Sequence, residues 1–269
     1  MLDPALGTPL ERALQAQARA SVRLDADWPA PPGVLAFSTL RRGLAVGVSK
    51  APFDDFNLGA HCGDDPEAVA TNRAALGWVG ALPSAPCWLR QVHGTRAWRF
   101  ETPSAVEIEA DAAVSSSPGV VLAVLSADCL PMLLAARDGS EVGAAHAGWR
   151  GLCAGVLENT VSALRAPPER LQAWLGPAAG PRAYEVGEEV RQAFVDADPR
   201  AAIAFAPTRL GHWLCDLYAL ARQRLALVGV ESVYGGGECT ISAPRRYFSH
   251  RRDGRCGRMA SVIAIAPRA

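Results

Sequence analysis

The stretch "SADCLPMLLAARDGSEVGAAHAGWRG", residues 126–151, decides how the sequence is interpreted. In it, Cys129 and His146 each stand next to an otherwise apolar run. The run that ends at the cysteine, "GVVLAVLSADC", predicts a strand buried on both faces, and "EVGAAHAG" predicts a second short strand beside it. Cys129 and His146 would then lie at the ends of neighbouring strands. They are either ordinary core residues or parts of one chemical site.

A third residue of the same kind is His93 in "RQVHGT", where a predicted strand gives way to a glycine. Two imidazoles and one thiolate, with one position left open, match a catalytic zinc site, in which the metal lowers the pKa of bound water to about 7. No two of the three residues lie within a short-range zinc motif. The spacing alone therefore leaves two interpretations open: a shared metal site, or three buried residues satisfied by backbone hydrogen bonds.

Strand and helix signals alternate along the rest of the chain without a long linker. Strands are predicted over residues 34–40, 87–94, 113–117, 119–129, 141–148, 171–181 and 258–266. Helices are predicted over residues 63–80, 149–168, 187–197 and 214–229, the first with Asp65 as N-cap and Pro66 at the first helical position. The mixture of hairpin-like and crossover connections favours an α+β or mixed α/β fold. Residues 1–30 predict an N-terminal extension, a short amphipathic helix and a breaker, and residues 31–269 predict a single domain.

Composition bounds the class of protein. The 269 residues are 49% hydrophobic and 20% charged, as expected for a globular protein with a substantial core. Because 27 basic residues balance 27 acidic ones, neither a non-specific nucleic-acid binder nor a polybasic membrane-surface protein is expected. No apolar run reaches the roughly 18–20 residues that span a bilayer. Seven cysteines without CxxC pairs and no signal peptide predict reduced thiols and a cytoplasmic location.

The basic residues limit how an anion could be bound. Lys50 is the only lysine, and the chain contains no GxxxxGK[ST] phosphate loop. Arginine must therefore handle any anion. The stretch "PRRYFSHRRDGRCGR", residues 244–258, supplies six arginines that are either an anion cradle or a solvated loop.

Five stretches together resemble the YfiH/laccase-domain family, which is also described as a family of purine nucleoside phosphorylases. The resemblance runs from about residue 34 to 266 and rests on "DDFNLGAHCGDDPEAVATNRAAL", "RQVHGT", "LSADCLPMLL", "GAAHAGWRG" and "CTISAPRRYFSHRRDGRCGRMAS". It implies a four-layer α/β/β/α fold with mixed sheets, shared with cysteine-hydrolase-like domains. It also implies a zinc site formed by His93, Cys129 and His146.

The family's oldest description is a multicopper polyphenol oxidase. A blue-copper centre alone uses two histidines and a cysteine, and a multinuclear copper cluster needs several more imidazoles. His61, His212 and His250 are the only other histidines, so a self-contained laccase is not expected. Copper(II) outcompetes zinc at most sites of this kind and is therefore expected only as an adventitious occupant.

A second description is phosphorolysis of adenosine, inosine and S-methyl-5'-thioadenosine, with deamination of adenosine as a further activity. Zinc-activated water would suit deamination, although the HxE…PCxxC signature of base deaminases is absent. Phosphorolysis needs cations for phosphate, and the resemblance assigns this role to Arg251 and Arg258. Asn57 in "FNLG" is a further candidate for substrate contact. The expected partners are small molecules, a purine nucleoside and phosphate; the oligomeric state is not predicted.

A third description is an amide hydrolase that edits peptidoglycan precursors, with Cys129 as nucleophile and His146 as base. The sequence does not decide between a zinc-bound and a nucleophilic thiolate. A metal-dependent binding domain without catalysis is a further alternative. Among neighbouring residues, Asp128 is expected to have a structural role and Asp111 either a capping or a substrate role, whereas Trp149 either stacks on a purine or lies in the core.

Overall fold

The computed structural model describes residues 22–43 and 46–267 of the chain. Its strands are β1 (Arg23–Asp25), β2 (Val34–Thr39), β3 (Leu89–Arg90), β4 (Ala97–Arg99), β5 (Ile108–Glu109), β6 (Ala112–Ser115), β7 (Val121–Ser126), β8 (Leu130–Ala136), β9 (Val142–Ala147), β10 (Leu171–Leu175), β11 (Glu185–Gly187), β12 (Phe205–Pro207), β13 (His212–Cys215), β14 (Ser232–Gly235) and β15 (Met259–Ile265). Its α-helices are α1 (Pro66–Gly80), α2 (Trp149–Ala154), α3 (Val156–Ser162), α4 (Glu188–Ala197), α5 (Leu217–Leu227) and α6 (His250–Asp253), and two 3-10 helices span Pro168–Arg170 and Pro199–Ala204.

Two sheets form the centre of the fold. The four-stranded sheet has the order β1-β2-β15-β7, and all its pairs are antiparallel. The six-stranded sheet has the order β14-β10-β8-β9-β6-β4 and is mixed, because both edge strands pair parallel to their neighbours. Two smaller sheets, β11-β13-β12 and β3-β5, complete the strand pairing of the described residues.

Alternation along the central strands explains why the two sheets pack face to face. In β7, Leu122 and Val124 point to the six-stranded sheet, where they join Leu133 of β8 and Ala144 of β9 in one buried cluster. Their neighbours Val121 and Ala123 point the other way. A strand with apolar residues on both faces must be covered on both faces. The run "GVVLAVLSADC" is therefore buried on both sides, as the sequence predicts.

Helices cover the two outer faces. Leu76 of α1 packs with Phe37 and Val262 on the outside of the four-stranded sheet. On the other side, helices α2 to α5 pack on the outer face of the six-stranded sheet through residues such as Leu157, Phe194 and Leu220. The layers are helix, sheet, sheet and helix. The predicted α+β, four-layer α/β/β/α architecture with mixed sheets is thereby confirmed.

Several local predictions hold and several are wrong. Helix α1 begins after Asp65, whose side chain accepts the backbone N–H of Glu67 as an N-cap does. The helix predicted over 149–168 is two helices, because Gly155 adopts φ +101° between α2 and α3. The strand predicted over 87–94 is reduced to β3.

The two strands that frame the opening stretch are not neighbours in one sheet. Strand β7 belongs to the four-stranded sheet, whereas β9 lies in the six-stranded sheet between β8 and β6. Between them in the chain lies β8, a strand not predicted from the sequence, which begins directly after Cys129 and pairs with β9. The expectation that β9 lies beside β7 is wrong. Cys129 and His146 nevertheless lie at the ends of adjacent strands, because β8 begins directly after Cys129 and pairs with β9, which carries His146.

The proposed N-terminal extension falls partly outside the described residues, which begin at residue 22. Within the described part, β1 pairs antiparallel with β2, and Asp27 accepts a hydrogen bond from Trp174 Nε1 at 2.6 Å. The division of the chain at residue 30 stays a prediction. In the two described segments, no helix combines the length and apolarity needed to cross a membrane.

Candidate metal centre

The register of three adjacent strands brings the candidate residues together. In the β8–β9 ladder, Pro131 faces His146 and Leu130 faces Ala147, so Cys129 falls opposite Gly148. In the β6–β9 ladder, Ala112 faces Ala145, which places Asp111 opposite His146. The backbone N–H of His146 donates to Asp111 O at 2.7 Å, which extends that ladder. One edge of the six-stranded sheet therefore presents a cysteine, a histidine and an aspartate side by side.

His93 reaches this edge from the loop that follows β3, and Asp111 holds the loop in place. The Asp111 carboxylate accepts the backbone N–H groups of Val92, His93 and Gly94 at 3.1, 2.9 and 2.7 Å. His93 adopts φ +59°, a left-handed conformation that is uncommon for residues other than glycine. Such conformations persist where the surroundings over-determine them. Three hydrogen bonds to a fully buried carboxylate do so here.

The donor atoms of His93, Cys129 and His146 lie within 4.8 Å of one another. Cys129 Sγ is 3.7 Å from His93 Nε2, and the two imidazole rings meet edge to face with centroids 4.8 Å apart. Among the described residues this is the one group of three or more histidine, cysteine or acidic side chains placed to hold a metal ion. The fold thus brings the three side chains together into a group that could hold a metal ion, rather than leaving them as three separate core residues.

The orientation of His146 is fixed by Asp111. His146 Nδ1 lies 2.9 Å from Asp111 Oδ1, and both side chains are buried. A carboxylate that accepts Nδ1–H leaves Nε2 as the nitrogen that can ligate, and this is the usual support behind a metal-binding histidine. Although burial raises it, hydrogen bonds from His146 and from the Gly94 backbone keep the pKa of Asp111 below its ordinary value. Asp111 thus positions both imidazoles: it bonds to the ring of His146 and to the backbone N–H of His93.

The charges of the triad favour a thiolate. Burial raises the pKa of the Cys129 thiol, but the nearby His146 and His93 outweigh burial and lower that pKa to about 6. In return, the Cys129 thiolate and the Asp111 carboxylate raise the pKa of His146 against the effect of burial. Each charge of the pair stabilises the other, so the metal-free site favours a thiolate beside an imidazolium. The donor set of two imidazoles and one thiolate fits a borderline ion such as zinc, and also fits copper.

The triad lies in the wall of a cavity of about 550 Å³. Its lining consists of Gly59, His61, Cys62, Leu89, Gln91, His93, Leu125, Ser126, Ala127, Cys129, His146, Arg150, His250 and Arg258. None of these residues is an aspartate or a glutamate. Leu89, Leu125 and Ala127 supply apolar surface, while the arginines and histidines supply cationic and hydrogen-bonding groups. Ser126 is buried, and its hydroxyl has no hydrogen-bond partner within the described segments.

Gly148 is required by close packing against two side chains of the triad. A Cβ placed on Gly148 would lie 2.8 Å from Cys129 Sγ and 2.9 Å from His93 Cδ2. Its own φ of −62° is ordinary, so the need is for space rather than for unusual backbone geometry. Sequence reasoning missed this role. The signal available was the glycine itself, two positions after His146 in "AAHAGWRG".

The two arginines assigned to an anion lie in different places. Arg258 lines the cavity, but its guanidinium donates to the carbonyls of Cys256 and Gly257 at 2.8 and 3.0 Å. Arg251 lies in a neighbouring polar cavity, where its guanidinium donates to Glu185 O and sits over the Tyr184 ring. The structure therefore does not bring Arg251 and Arg258 into one cradle at the triad. Their roles toward an anion stay predictions.

Asn57 is fully buried, and its side chain is engaged within the protein. Its oxygen accepts the backbone N–H groups of Gly59 and Arg258, and its nitrogen donates to Gly59 O and Asp64 Oδ2. The amide thereby joins its own loop to the segment that carries Arg258. A contact with substrate stays a prediction, and the observed contacts are those of a structural residue.

Asp128 has the structural role expected for it. Its carboxylate accepts hydrogen bonds from the Thr240 hydroxyl at 2.5 Å, the Ser249 hydroxyl at 3.0 Å and the Arg251 backbone N–H at 2.6 Å. It adopts φ +91°, which turns the chain sharply just before Cys129. Asp128 thus fixes the position of Cys129 by anchoring the turn before it to the segment that contains Thr240, Ser249 and Arg251.

The other two neighbours lie at the edges of the site. His61 lines the cavity with its imidazole bonded to Glu107, outside the triad. Trp149 is half-buried and packs against the core under the helices.

Comparison with known proteins assigns the chain to a family. The family model described as multi-copper polyphenol oxidoreductase laccase matches residues 35–266. The chain belongs to this family. Among its laccase-family relatives, a protein of Xylella fastidiosa named purine nucleoside phosphorylase is 60% identical over 253 residues, 90% of this chain and 96% of the relative. Purine nucleoside phosphorylase YfiH of Escherichia coli is 54% identical over 236 residues, 88% of this chain and 96% of the relative.

Solved structures share the laccase-family fold. A Neisseria meningitidis protein of family DUF152 superposes with a TM-score of 0.85 at 45% identity and covers 91% of this chain and 99% of its own. YlmD of Geobacillus stearothermophilus superposes with a TM-score of 0.82 at 30% identity and covers 91% of this chain and 97% of its own. The predicted family and fold are both confirmed.

Proposed function

We propose that the protein is a zinc-dependent purine nucleoside phosphorylase that acts on adenosine, inosine and S-methyl-5'-thioadenosine and also deaminates adenosine. The observation that carries the proposal is the convergence of His93, Cys129 and His146 on a cavity of about 550 Å³ without a carboxylate in its lining. A phosphorylase must bring a phosphate anion next to a purine nucleoside, and a cavity free of acidic groups is suited to that. Relatives 52 to 60% identical carry the name purine nucleoside phosphorylase, which supports the same reaction.

The residues of this chain would hold the metal and shape its surroundings. Cys129 Sγ, His93 Nε2 and His146 Nε2 would be the ligands, and Asp111 keeps a proton at His146 Nδ1 so that Nε2 stays available. When bound, zinc would supply Lewis acidity and a water of lowered pKa. Leu89, Leu125 and Ala127 offer apolar surface to a purine ring and limit water around the reacting atoms. Zinc, rather than a copper cluster, is supported by the single group of ligands among the described residues.

The test is a panel of nucleosides incubated with and without phosphate, followed by product analysis. Phosphate-dependent release of base and ribose 1-phosphate is expected, together with inosine from adenosine. Elemental analysis of protein prepared without added metal should show about one zinc per chain. Stoichiometric copper in several sites, or no turnover of any nucleoside, would contradict the proposal.

A second candidate is a Cys–His amide hydrolase acting on peptidoglycan precursors. The observation in its favour is that Cys129 Sγ lies beside the imidazoles of His93 and His146, which lower the pKa of the thiol to about 6 and so suit a nucleophile. A chelator separates the candidates. Loss of activity together with faster alkylation of Cys129 supports the metal enzyme, whereas full activity after zinc removal supports the hydrolase.

Small-molecule substrates and a reducing compartment complete the proposal. All seven cysteines are free in the structure, which supports a cytoplasmic setting. Neither nucleic acid nor a membrane enters the proposed reaction.

A further inference from the structure

We propose that Arg150 is the residue that binds the phosphate co-substrate at this centre. The inference rests on the proposed phosphorylase function and names a residue for its anion. Arg150 follows Trp149 at the start of α2 and lines the same cavity as His93, Cys129 and His146. The family resemblance indicates Arg251 and Arg258 for this role instead.

The first argument is that the Arg150 side chain is uncommitted. Among the described residues it makes no hydrogen bond and no ion pair, and its guanidinium lies over the Trp149 ring, 4.4 Å from the centroid. The other cavity arginine, Arg258, donates hydrogen bonds from its Nη1 to two carbonyls of its own segment. Arg251, the other candidate, is bound to Glu185 O outside this cavity. Of the three, Arg150 is the one with its full set of donors available to a ligand.

The second argument is the charge of the cavity. Its lining contains two arginines and four histidines, and no aspartate or glutamate. The nearby negative charges have other partners: a metal would neutralise the Cys129 thiolate, and the fully buried Asp111 carboxylate is bonded to His146. Glu107 is paired with His61 and Arg73, and Glu185 of the adjacent cavity is paired with Arg209. An arginine facing such a cavity without an acidic partner attracts an anion, because its field is not cancelled locally. Inorganic phosphate meets guanidinium geometry with two parallel hydrogen bonds.

The third argument is that Arg150 is held near the metal ligands. Gly148 packs against Cys129 and His93, so the chain that leads into Arg150 begins in contact with two ligands. Stacking of the guanidinium on Trp149 restrains the side chain before an anion arrives. Arg150 lines both the cavity of the triad and the adjacent polar cavity of about 340 Å³, so it stands where the two cavities meet.

This placement assigns a role in the reaction. In phosphorolysis a phosphate oxygen forms a bond to ribose C1′, the bond from C1′ to the base nitrogen breaks, and its electron pair leaves with the base, which takes up a proton. Arg150 would bind two other phosphate oxygens and hold the attacking one toward C1′. Such a residue affects phosphate saturation more than nucleoside saturation.

The experiment compares zinc-loaded wild type with Arg150→Gln and Arg150→Lys. Arg182→Gln is the matched control, because Arg182 is exposed, lines none of the cavities described above, and has no hydrogen bond or ion pair to another described residue. Isothermal titration with inorganic phosphate alone gives the dissociation constant, and initial rates give separate KM values for phosphate and inosine. Zinc content and melting temperature are recorded for each variant.

Arg150→Gln is expected to weaken phosphate binding and raise the KM for phosphate by about tenfold or more, since charge-assisted hydrogen bonds are lost. Its KM for inosine should change by less than about twofold, and Arg150→Lys should recover part of the loss through its charge. Equal phosphate affinity in wild type and Arg150→Gln, or an equal loss in Arg182→Gln, overturns the proposal. Failure of wild type to bind phosphate also overturns it. If wild type binds phosphate through Arg150 but releases no ribose 1-phosphate, the anion site stands and the phosphorylase assignment fails.

Discussion

Replacing Gly148 by alanine should disable the metal centre while leaving the fold intact. The new Cβ would lie 2.8 Å from Cys129 Sγ and 2.9 Å from His93 Cδ2. Non-bonded heavy atoms of this kind settle at about 3.5–4.0 Å, so each contact must open by at least roughly 0.6 Å. Metal–ligand distances tolerate only about 0.2 Å. The required displacement therefore exceeds what the site can absorb.

The two ligands differ in how they can respond. Cys129 is fixed between Asp128 and the start of β8, whereas His93 is an exposed residue in a loop. The His93 ring is expected to move and the thiolate to stay. We therefore expect zinc affinity to fall by about tenfold to hundredfold, the range seen when the support of a metal ligand is lost. Unfolding of the metal-free protein should change by no more than about 1–3 kcal/mol, the usual effect of added bulk in a packed site.

The assay is competition for zinc with a chromophoric chelator, together with thermal unfolding of the metal-free protein. Gly77→Ala is the matched control, since a Cβ on Gly77 meets nothing within 4 Å and helix α1 should gain up to about 1 kcal/mol. Wild-type zinc affinity in Gly148→Ala would refute the packing of the ligands around Gly148. A comparable loss of affinity in Gly77→Ala would show that the effect is not local.

Three further predictions concern the surroundings of the triad. Asp111→Asn should lower zinc affinity by about tenfold to hundredfold, because the amide NH2 cannot accept the backbone N–H groups of Val92 and Gly94 that Asp111 Oδ2 accepts; chelator competition at wild-type affinity would contradict this. In metal-free protein, alkylation of Cys129 followed by peptide mass spectrometry should slow as pH falls through about 6, since protonation of the thiolate removes the nucleophile, and His146→Ala should shift the profile to higher pH; a midpoint near the ordinary thiol value in wild type would be incompatible with the ion pair. Ser126→Ala should be neutral or slightly stabilising by denaturant unfolding, because the buried hydroxyl has no partner to lose, and a loss above about 1 kcal/mol would mean that it has one.

Secondary-structure elements whose signals lie in consecutive residues could be predicted from the sequence. Asp65 and Pro66 predict the start of α1, and the apolar run before Cys129 predicts β7, because caps and burial are written in consecutive residues. Strand β8 was missed because Pro131 stands near its start and interrupts the strand signal. Which strand pairs with which is set by contacts distant in the chain, and periodicity does not contain that information.

The candidate site, too, could be predicted from the sequence only in part. Residue chemistry and family resemblance were enough to select His93, Cys129 and His146, and the fold brings them together. The sequence shows how many arginines the chain contains, but not which of them already donate hydrogen bonds within the protein. The carbonyls that engage Arg258 belong to its own segment, whereas Arg150 has no partner among the described residues, and this difference appears only in three dimensions.

The contacts of Asp128 impose an order on assembly. His93, Cys129 and His146 all leave the ribosome well before Thr240, Ser249 and Arg251, which clamp the turn in front of the cysteine. Until that later segment docks, the left-handed turn at Asp128 lacks its three hydrogen bonds and the thiolate lacks a fixed direction. The growing chain therefore carries all three ligands before it has a finished site. The turn that directs the cysteine is therefore completed only after residues 240–251 have been made and have docked.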